Sequence, residues 1–244
     1  MIFSVLTLFP GIFASPLEES ILGKAVGKGL VSFNIVNIRD FADDPHRSCD
    51  DTPYGGGPGM VMKVEPIFRA IEHVKEAHGR VRFVLLSPQG RRFDQFTAER
   101  FARSPHICLI CGRYEGVDER VLTYVDEEIS VGDYVTSGGE FPALVVIDAV
   151  CRFIPGVLGN DESVSAESFR EPLLEYPQYT RPETFMGASV PPVLLSGNHE
   201  EIRKWRRKEA IRKTVLKRSD LLEGFQASDE DKRFMREIME EFPE

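Results

Sequence analysis

The amino-acid sequence predicts an α/β fold, in which a mostly parallel sheet is covered by helices on both sides and a small all-helical domain follows at the C-terminus. Strand-like segments alternate with helical ones over the first 156 residues of the 244-residue chain. Several strand segments are apolar at nearly every position, as expected of parallel strands buried on both faces. From about residue 183 onward, helical patterns replace the strands.

The predicted elements of the first part follow one another in a regular order. The strands are predicted at MIFSVLTLF, VSFNIVNI, VRFVLLS, HICLICG and EEISV. The helices are predicted at EESILGKAVGKG, closed by Gly29, and at PIFRAIEHVKEAH, FDQFTAERFARS, EGVDERVLTYVD and GEFPALVVIDAVCRFIPG, the last ending at Pro155-Gly156. Residues 39–63 form a long loop rich in Asp, Pro and Gly, and this loop contains YGGGPGM.

The composition changes after residue 156. Residues 157–182 hold three prolines and five acids with little periodicity, which is typical of a linker or mobile loop. Beyond them, SDLL and SDED are typical helix starts. We therefore predict a first domain at 1–159, a flexible linker at 160–182 and a helical domain at 183–244.

The charge distribution is uneven. A formal charge of -9 argues against a protein that coats nucleic acid. The segment SGNHEEIRKWRRKEAIRKTVLKRS nevertheless carries nine Lys and Arg against three Glu. We predict a phosphate-contacting helix face there, with Trp205 as a ring on which a base can stack. The cations of this face would be Arg203, Arg206, Arg207, Lys213 and Lys217. Because glutamates lie among them, an ordinary solvated helix face is the alternative.

The cysteines and the apolar segments restrict the class of protein. Alternation along the strand HICLICG points Cys108 and Cys111 to opposite faces, so we predict buried reduced thiols rather than a metal site or a disulfide. No apolar run approaches the roughly 20 residues of a membrane span, and MIFSVLTLF has no basic segment before it. We expect a soluble cytoplasmic protein with no membrane partner.

Three irregular segments follow apolar strands: SPQGRR at 87–92, CGRYEG at 111–116 and VGDYVTSGGE at 131–140. Loops after parallel strands gather at one sheet edge, so the three segments could form one ligand site, although each alone could be an ordinary turn. The first strand lacks a following G-x-G-x-x-G, and YGGGPGM lacks the G-K-[ST] ending, which disfavours dinucleotide and nucleoside triphosphate sites. Glycine-rich loops suit a ligand held by backbone groups, such as S-adenosylmethionine.

Seven motifs in chain order closely resemble the bacterial tRNA (guanine-N1)-methyltransferases that modify the guanine at position 37. These motifs are YGGGPGMVMK, LLSPQGRRFDQ, LICGRYEGVDERV, ISVGDYVTSGGE, RFIPGVLGN, YPQYTRPE and VPPVLLSGNHEEIRKWRR. The resemblance implies a SPOUT-class methyltransferase domain with a deep C-terminal trefoil knot, a tRNA-binding helical domain, and a homodimer whose active sites are shared between subunits.

The resemblance also implies which residues bind S-adenosyl-L-methionine. The first knot loop would comprise Ser87, Pro88, Gln89 and Gly90, and the second Gly112, Tyr114, Glu115 and Gly116. The third would comprise Val131, Gly132, Asp133, Tyr134, Val135, Thr136, Ser137, Gly138 and Gly139. Asp133 is thereby a cofactor-loop residue and not the catalytic base.

The chemistry requires a base, because N1 of guanine carries a proton at neutral pH, and a cation near the carbonyl oxygen on which charge develops. The resemblance places the cation at Arg152. It places the base at Glu167 in AESF, where the family usually has Asp, and Asp161 is a rival outside the matching position. The family also suggests Mg²⁺, for which no ligand cluster is visible in the sequence and Glu115 is the first residue to test.

Two other functions stay open at this point. A protein that keeps the fold could bind RNA without catalysis, since the family Asp is replaced by Glu167. A related SPOUT enzyme could instead methylate ribosomal RNA or a ribose hydroxyl.

Overall fold

A computed structural model describes residues 1–159, 168–169 and 171–241 of the chain. The chain divides into two compact units, Met1–Asp161 and Glu162–Glu244. The division into a methyltransferase domain, a flexible linker and a tRNA-binding domain stays a prediction.

The first unit is built on a five-stranded parallel sheet, as predicted. In chain order its strands are β1 (Ile2–Thr7), β2 (Ser32–Asn37), β5 (Arg82–Arg92), β6 (His106–Cys111) and β7 (Glu127–Ser130). Their order across the sheet is β2-β1-β6-β5-β7, and every pairing is parallel. The long loop before the second helix contains two short antiparallel strands, β3 (Asp50–Asp51) and β4 (Val61–Met62).

Four helices accompany the sheet: α1 (Ser20–Gly27), α2 (Val64–His78), α3 (Gln95–Ala102) and α4 (Glu140–Cys151). Short 3-10 helices span Pro10–Phe13, Ile38–Phe41 and Glu119–Tyr124. The predicted helix EGVDERVLTYVD is therefore only a 3-10 segment. Helix α4 ends at Cys151, four residues before the predicted end at Pro155.

Both faces of the sheet are buried, because neighbouring strand residues point into separate apolar clusters. Leu86 and Cys111 lie in the cluster that holds α3 and α4, while Leu85 and Cys108 lie in the cluster that holds α2. The opposite orientation predicted for Cys108 and Cys111 is confirmed. All four cysteines are free and buried, and burial raises the pKa of each thiol, so the protonated form is favoured.

The segment after the third main strand differs from its prediction. We expected the strand VRFVLLS to end at Ser87, whereas β5 continues through SPQGRR to Arg92. Ile129 pairs with both Leu86 and Arg91, so residues 87–90 bulge out of the ladder between them. The irregular segment is thus an insertion within a strand and not a loop after it.

The second unit contains α5 (Pro192–Leu195), α6 (His199–Lys217) and α7 (Asp229–Glu241), with a 3-10 helix at Ser219–Leu222. Its core joins Leu173 to Ile211, Phe234 and Ile238. The predicted SDED start is confirmed, because Ser228 and Asp231 exchange hydrogen bonds between each side chain and the other's backbone N–H, at 3.1 Å each. The segment predicted as all-helical also holds a short hairpin of β8 (Thr184–Phe185) and β9 (Ala188–Ser189).

Within the described residues, no helix combines the length and apolar character that crossing a bilayer requires.

Candidate active site

A cavity of about 340 Å³ lies where β6, β5 and β7 run side by side in the sheet. All three irregular segments contribute to its lining, so the structure brings together most of the residues proposed for the cofactor site. The proposed residues that line the cavity are Ser87, Pro88, Gln89, Gly112, Tyr114, Glu115, Gly116, Val131, Gly132, Tyr134, Val135, Thr136, Gly138 and Gly139.

Three of the proposed cofactor residues do not line the cavity: Gly90, Asp133 and Ser137. Gly90 packs against the neighbouring strand, since a Cβ there would lie 2.4 Å from the backbone nitrogen of Ile129. The backbone carbonyl of Ser137 accepts a hydrogen bond from Arg113 Nη1 at 3.1 Å. Asp133 is exposed.

The second and third loops are in direct backbone contact. The N–H of Gly139 donates to the carbonyl of Gly112 at 2.8 Å. A Cβ at Gly139 would lie 2.7 Å from Cys111 Cα, which is closer than carbon atoms can approach. Gly139 has a φ of -76°, so the requirement for glycine here is the close approach and not the backbone conformation.

Arg113, which the sequence analysis did not single out, connects these loops to the protein interior. Its Nε lies 2.9 Å from Oε2 of Glu140, whose side chain is fully buried. The N–H does not point at the oxygen, so the contact is an ion pair without a hydrogen bond. The other carboxylate oxygen of Glu140 accepts from Thr7 Oγ1 at 2.8 Å, and the Arg113 guanidinium lies 4.4 Å above the ring of Phe9.

The YGGGPGM segment packs against the second loop of the cavity, a contact that the sequence did not predict. Backbone hydrogen bonds join Glu115 N to Met60 O at 3.0 Å and Met62 N to Gly116 O at 2.9 Å. Gly59 has a φ of +79°, and a Cβ on it would lie 2.3 Å from Glu115 Oε1. Gly59 therefore leaves room for the Glu115 carboxylate, which lines the cavity.

The cavity lining has more acidic than basic side chains. Three carboxylates, those of Glu115, Glu119 and Glu128, accompany the single guanidinium of Arg113. The rest of the lining includes apolar side chains such as Leu86 and Ile129. A ligand with net positive charge and a flat apolar part would suit this surface.

The proposed catalytic residues occupy the end of α4 and the segment after it. Arg152 is half-buried and directly follows Cys151, the last residue of α4. Glu167 and its rival Asp161 lie outside the described residues. Among the described residues, no group of three His, Cys, Asp or Glu side chains is arranged to hold a metal ion.

Two arginines of the phosphate-contacting face predicted on α6 form ion pairs with nearby carboxylates. Arg203 is paired with Glu200 and Glu230, and Arg207 with Glu171 and Asp231. The charges of these two arginines are therefore largely neutralised within the second unit. Arg206 instead lies with its guanidinium 4.9 Å above the ring of Tyr176.

Comparison with known proteins gives one consistent family. A family model described as tRNA (Guanine-1)-methyltransferase TrmD matches residues 1–224. The chain is 55% identical over 240 residues to a protein of Dictyoglomus turgidum named tRNA (guanine-N(1)-)-methyltransferase, covering 98% of this chain and 97% of that one. It is 52% identical over 234 residues to a protein of the same name from Geobacillus kaustophilus, covering 96% of each chain.

Proposed function

The chain belongs to the tRNA (guanine-1)-methyltransferase family, and from this premise we propose that it transfers a methyl group from S-adenosyl-L-methionine to N1 of the guanine at position 37 of tRNA. The observation that carries the proposal is the cavity beside three adjacent parallel strands, lined by the segments that resemble the family's cofactor loops. That place in a parallel sheet is where α/β proteins hold their ligands.

The residues present fit S-adenosylmethionine. The cofactor has a sulfonium and an ammonium group against one carboxylate, and the lining has Glu115, Glu119 and Glu128 against Arg113. Gly138 and Gly139 place the third loop against Arg113 and Cys111 at the cavity wall, and Leu86 and Ile129 offer apolar surface to an adenine ring. A volume of about 340 Å³ lies within the usual range for small-molecule sites. When bound, the sulfonium supplies an electrophilic methyl group.

The protein's own residues would prepare the nucleophile. We propose that the Glu167 carboxylate accepts the proton from N1 of guanine, since the protonated nitrogen has no free lone pair for attack. The Arg152 guanidinium would then stabilise the negative charge that develops on the neighbouring carbonyl oxygen. The longer side chain of Glu167 compared with Asp leaves this reaction class unchanged, since both are carboxylates.

Three further properties belong to the proposal. The family resemblance supports a SPOUT fold with a trefoil knot and a homodimer with shared active sites. An apolar surface on α4 supports the homodimer, because Phe141 and Val145 are 57% and 51% exposed there. A Mg²⁺ ion would be held by one or two carboxylates together with phosphate and water, and Glu115 is the first candidate.

The test is mass spectrometry of tRNA after incubation with the protein and S-adenosylmethionine. We expect N1-methylguanine in a tRNA with guanine at position 37, and no product in the same tRNA with adenine there. Methylation of a ribose, or of ribosomal RNA alone, would refute the proposal in favour of another SPOUT activity. No transfer to any RNA by protein that binds tRNA would favour a non-catalytic RNA-binding protein.

A further inference from the structure

The second unit has a cavity of its own, of about 400 Å³. It lies between α6 and the chain segment around residues 176–183, and its lining includes Tyr176, Tyr179, Trp205, Arg181 and Arg206. Nothing in the proposed methyl transfer uses these residues. The cavity therefore combines three aromatic rings with two guanidinium groups.

The rings lie at an angle to one another rather than stacked face to face. The centroids of Tyr179 and Trp205 are 6.2 Å apart, with 55° between the ring planes. Tyr179 is 49% exposed. Part of its surface is therefore accessible to a further ring, and a flat base can stack on such a surface.

The two guanidinium groups at this cavity differ from their neighbours on α6 in their ion pairing. Within the described residues, neither Arg181 nor Arg206 has a carboxylate at ion-pair distance, unlike Arg203 and Arg207. Arg206 lies against Tyr176 instead, which holds the cation without neutralising it. Glu183 is the one acidic residue of the lining. The cavity thus has a local positive charge in a chain of net charge -9.

We propose that this cavity binds one unpaired nucleotide of an RNA, with its base against Tyr179 and Trp205 and its phosphate near Arg206 and Arg181. Aromatic rings beside arginines are the usual means of holding unpaired bases, because stacking tolerates any base and arginine pairs with phosphate. The identity of the RNA as tRNA rests on the proposed function. The inference also narrows the RNA contact predicted for α6, because Arg203 and Arg207 are ion-paired and Arg206 is the member of that set that lines the cavity.

Trp205 makes the test direct, because it is the only tryptophan of the chain. A base stacked on the indole should quench its emission, so fluorescence titration with a tRNA transcript reports occupancy of this cavity. The variants are Tyr179→Leu and Arg206→Ala. Their matched controls are Phe185→Leu, an exposed aromatic residue in the hairpin, and Arg236→Ala, an exposed arginine of α7.

We expect quenching of Trp205 by the transcript, and a Kd for tRNA raised about tenfold in each cavity variant, the loss typical of one base stack or one phosphate contact. In Arg206→Ala the slope of log K against log salt should fall by about 0.7–0.9. The cavity variants should keep the wild-type melting temperature and the wild-type Kd for S-adenosylmethionine. Both control variants should keep the wild-type Kd for tRNA.

Several results would overturn the inference. These are unchanged Trp205 emission with bound tRNA, wild-type tRNA affinity in both cavity variants, or equal losses in the controls. Quenching by a proline-rich peptide but not by a short single-stranded RNA would assign the cavity to a protein partner. Methyl transfer is measured separately, so its absence in the wild type refutes the proposed function, while quenching by single-stranded RNA still decides the role of the cavity.

Discussion

Replacing Gly139 by Ala changes the candidate active site by a single methyl group. The added Cβ would lie 2.7 Å from Cys111 Cα and 3.1 Å from the backbone nitrogen of Gly112. The first distance is about 0.8 Å short of the ~3.5 Å at which carbon atoms make favourable contact. Both neighbours are backbone atoms at the end of a buried strand, so no flexible side chain can move away. The second and third loops must therefore separate.

The cost follows from this forced displacement. Overpacking of an ordered interior costs about 2 kcal/mol, which lowers the Tm of a unit of this size by roughly 4–8 °C. Because the N–H of Gly139 donates to Gly112, separating the loops also weakens that 2.8 Å hydrogen bond. We expect the Kd for S-adenosylmethionine to rise about tenfold or more, since both loops line the cavity.

Gly27→Ala is the matched control, since a Cβ at Gly27 would meet no atom within 4 Å and this residue ends α1. That change should stabilise the protein by about 0.4–1 kcal/mol, because Ala leaves the unfolded chain less conformational freedom than Gly, and it should leave cofactor binding unchanged. The measurements are thermal unfolding and isothermal titration calorimetry with S-adenosylmethionine. Equal Tm and equal cofactor affinity in Gly139→Ala and the wild type would show that the loops tolerate the extra methyl group, and the reasoning from close approach would be wrong.

Three further predictions concern catalysis and acid stability. Glu167→Gln should lower turnover at least about 100-fold with nearly unchanged cofactor affinity, because an amide cannot accept the N1 proton; full activity in single-turnover assays would remove Glu167 from the mechanism. Arg152→Ala should lower kcat about 100-fold with a smaller effect on KM, and an unchanged kcat would contradict its role in stabilising charge. Asp231 is buried, and the hydrogen bonds that Arg207 donates hold the pKa of its carboxyl below the usual range. This depressed pKa contributes stability above the unfolded-state pKa of about 3.9, and the contribution is lost as pH falls through the folded-state pKa. Asp231→Asn should therefore cost about 2 kcal/mol at pH 7 and less at pH 3 in urea unfolding, whereas the same loss at both pH values would count against the ion pair.

Strand and helix patterns predicted the sheet well, because most of its strands are apolar at nearly every position and side chains along a strand point alternately to its two faces. The opposite orientation of Cys108 and Cys111 followed from that alternation alone. The continuation of β5 through Gly90 could not be predicted in this way. It depends on a glycine packed against Ile129 of a strand almost 40 residues later. Local patterns contain no information about that neighbour.

The sequence predicted which loops form the candidate site, but it did not predict the contacts that join these loops to the protein interior. Glycine-rich segments beside apolar strands indicated which parts of the chain line the cavity. Arg113 was missed although it lies within CGRYEG, because its partner Glu140 is distant in sequence. The same limit applies to α6, where the sequence suggested a phosphate-contacting face, left a solvated face open, and could not show which cations are ion-paired. The carboxylates that neutralise Arg203 and Arg207 include Glu230 and Asp231 of α7, which meets α6 only in the folded unit.

The bond between Thr7 and Glu140 has a consequence for the order of folding. The two residues are 133 positions apart, at the end of the first strand and the start of α4. Closing so long a loop costs entropy before the contact contributes stability. Because Arg113 is ion-paired to the same carboxylate, we expect the second and third loops to be fixed in position only once α4 has docked against β1. During synthesis, the cavity cannot be complete until Pro142, which lines it, has left the ribosome, however early the first strands are made.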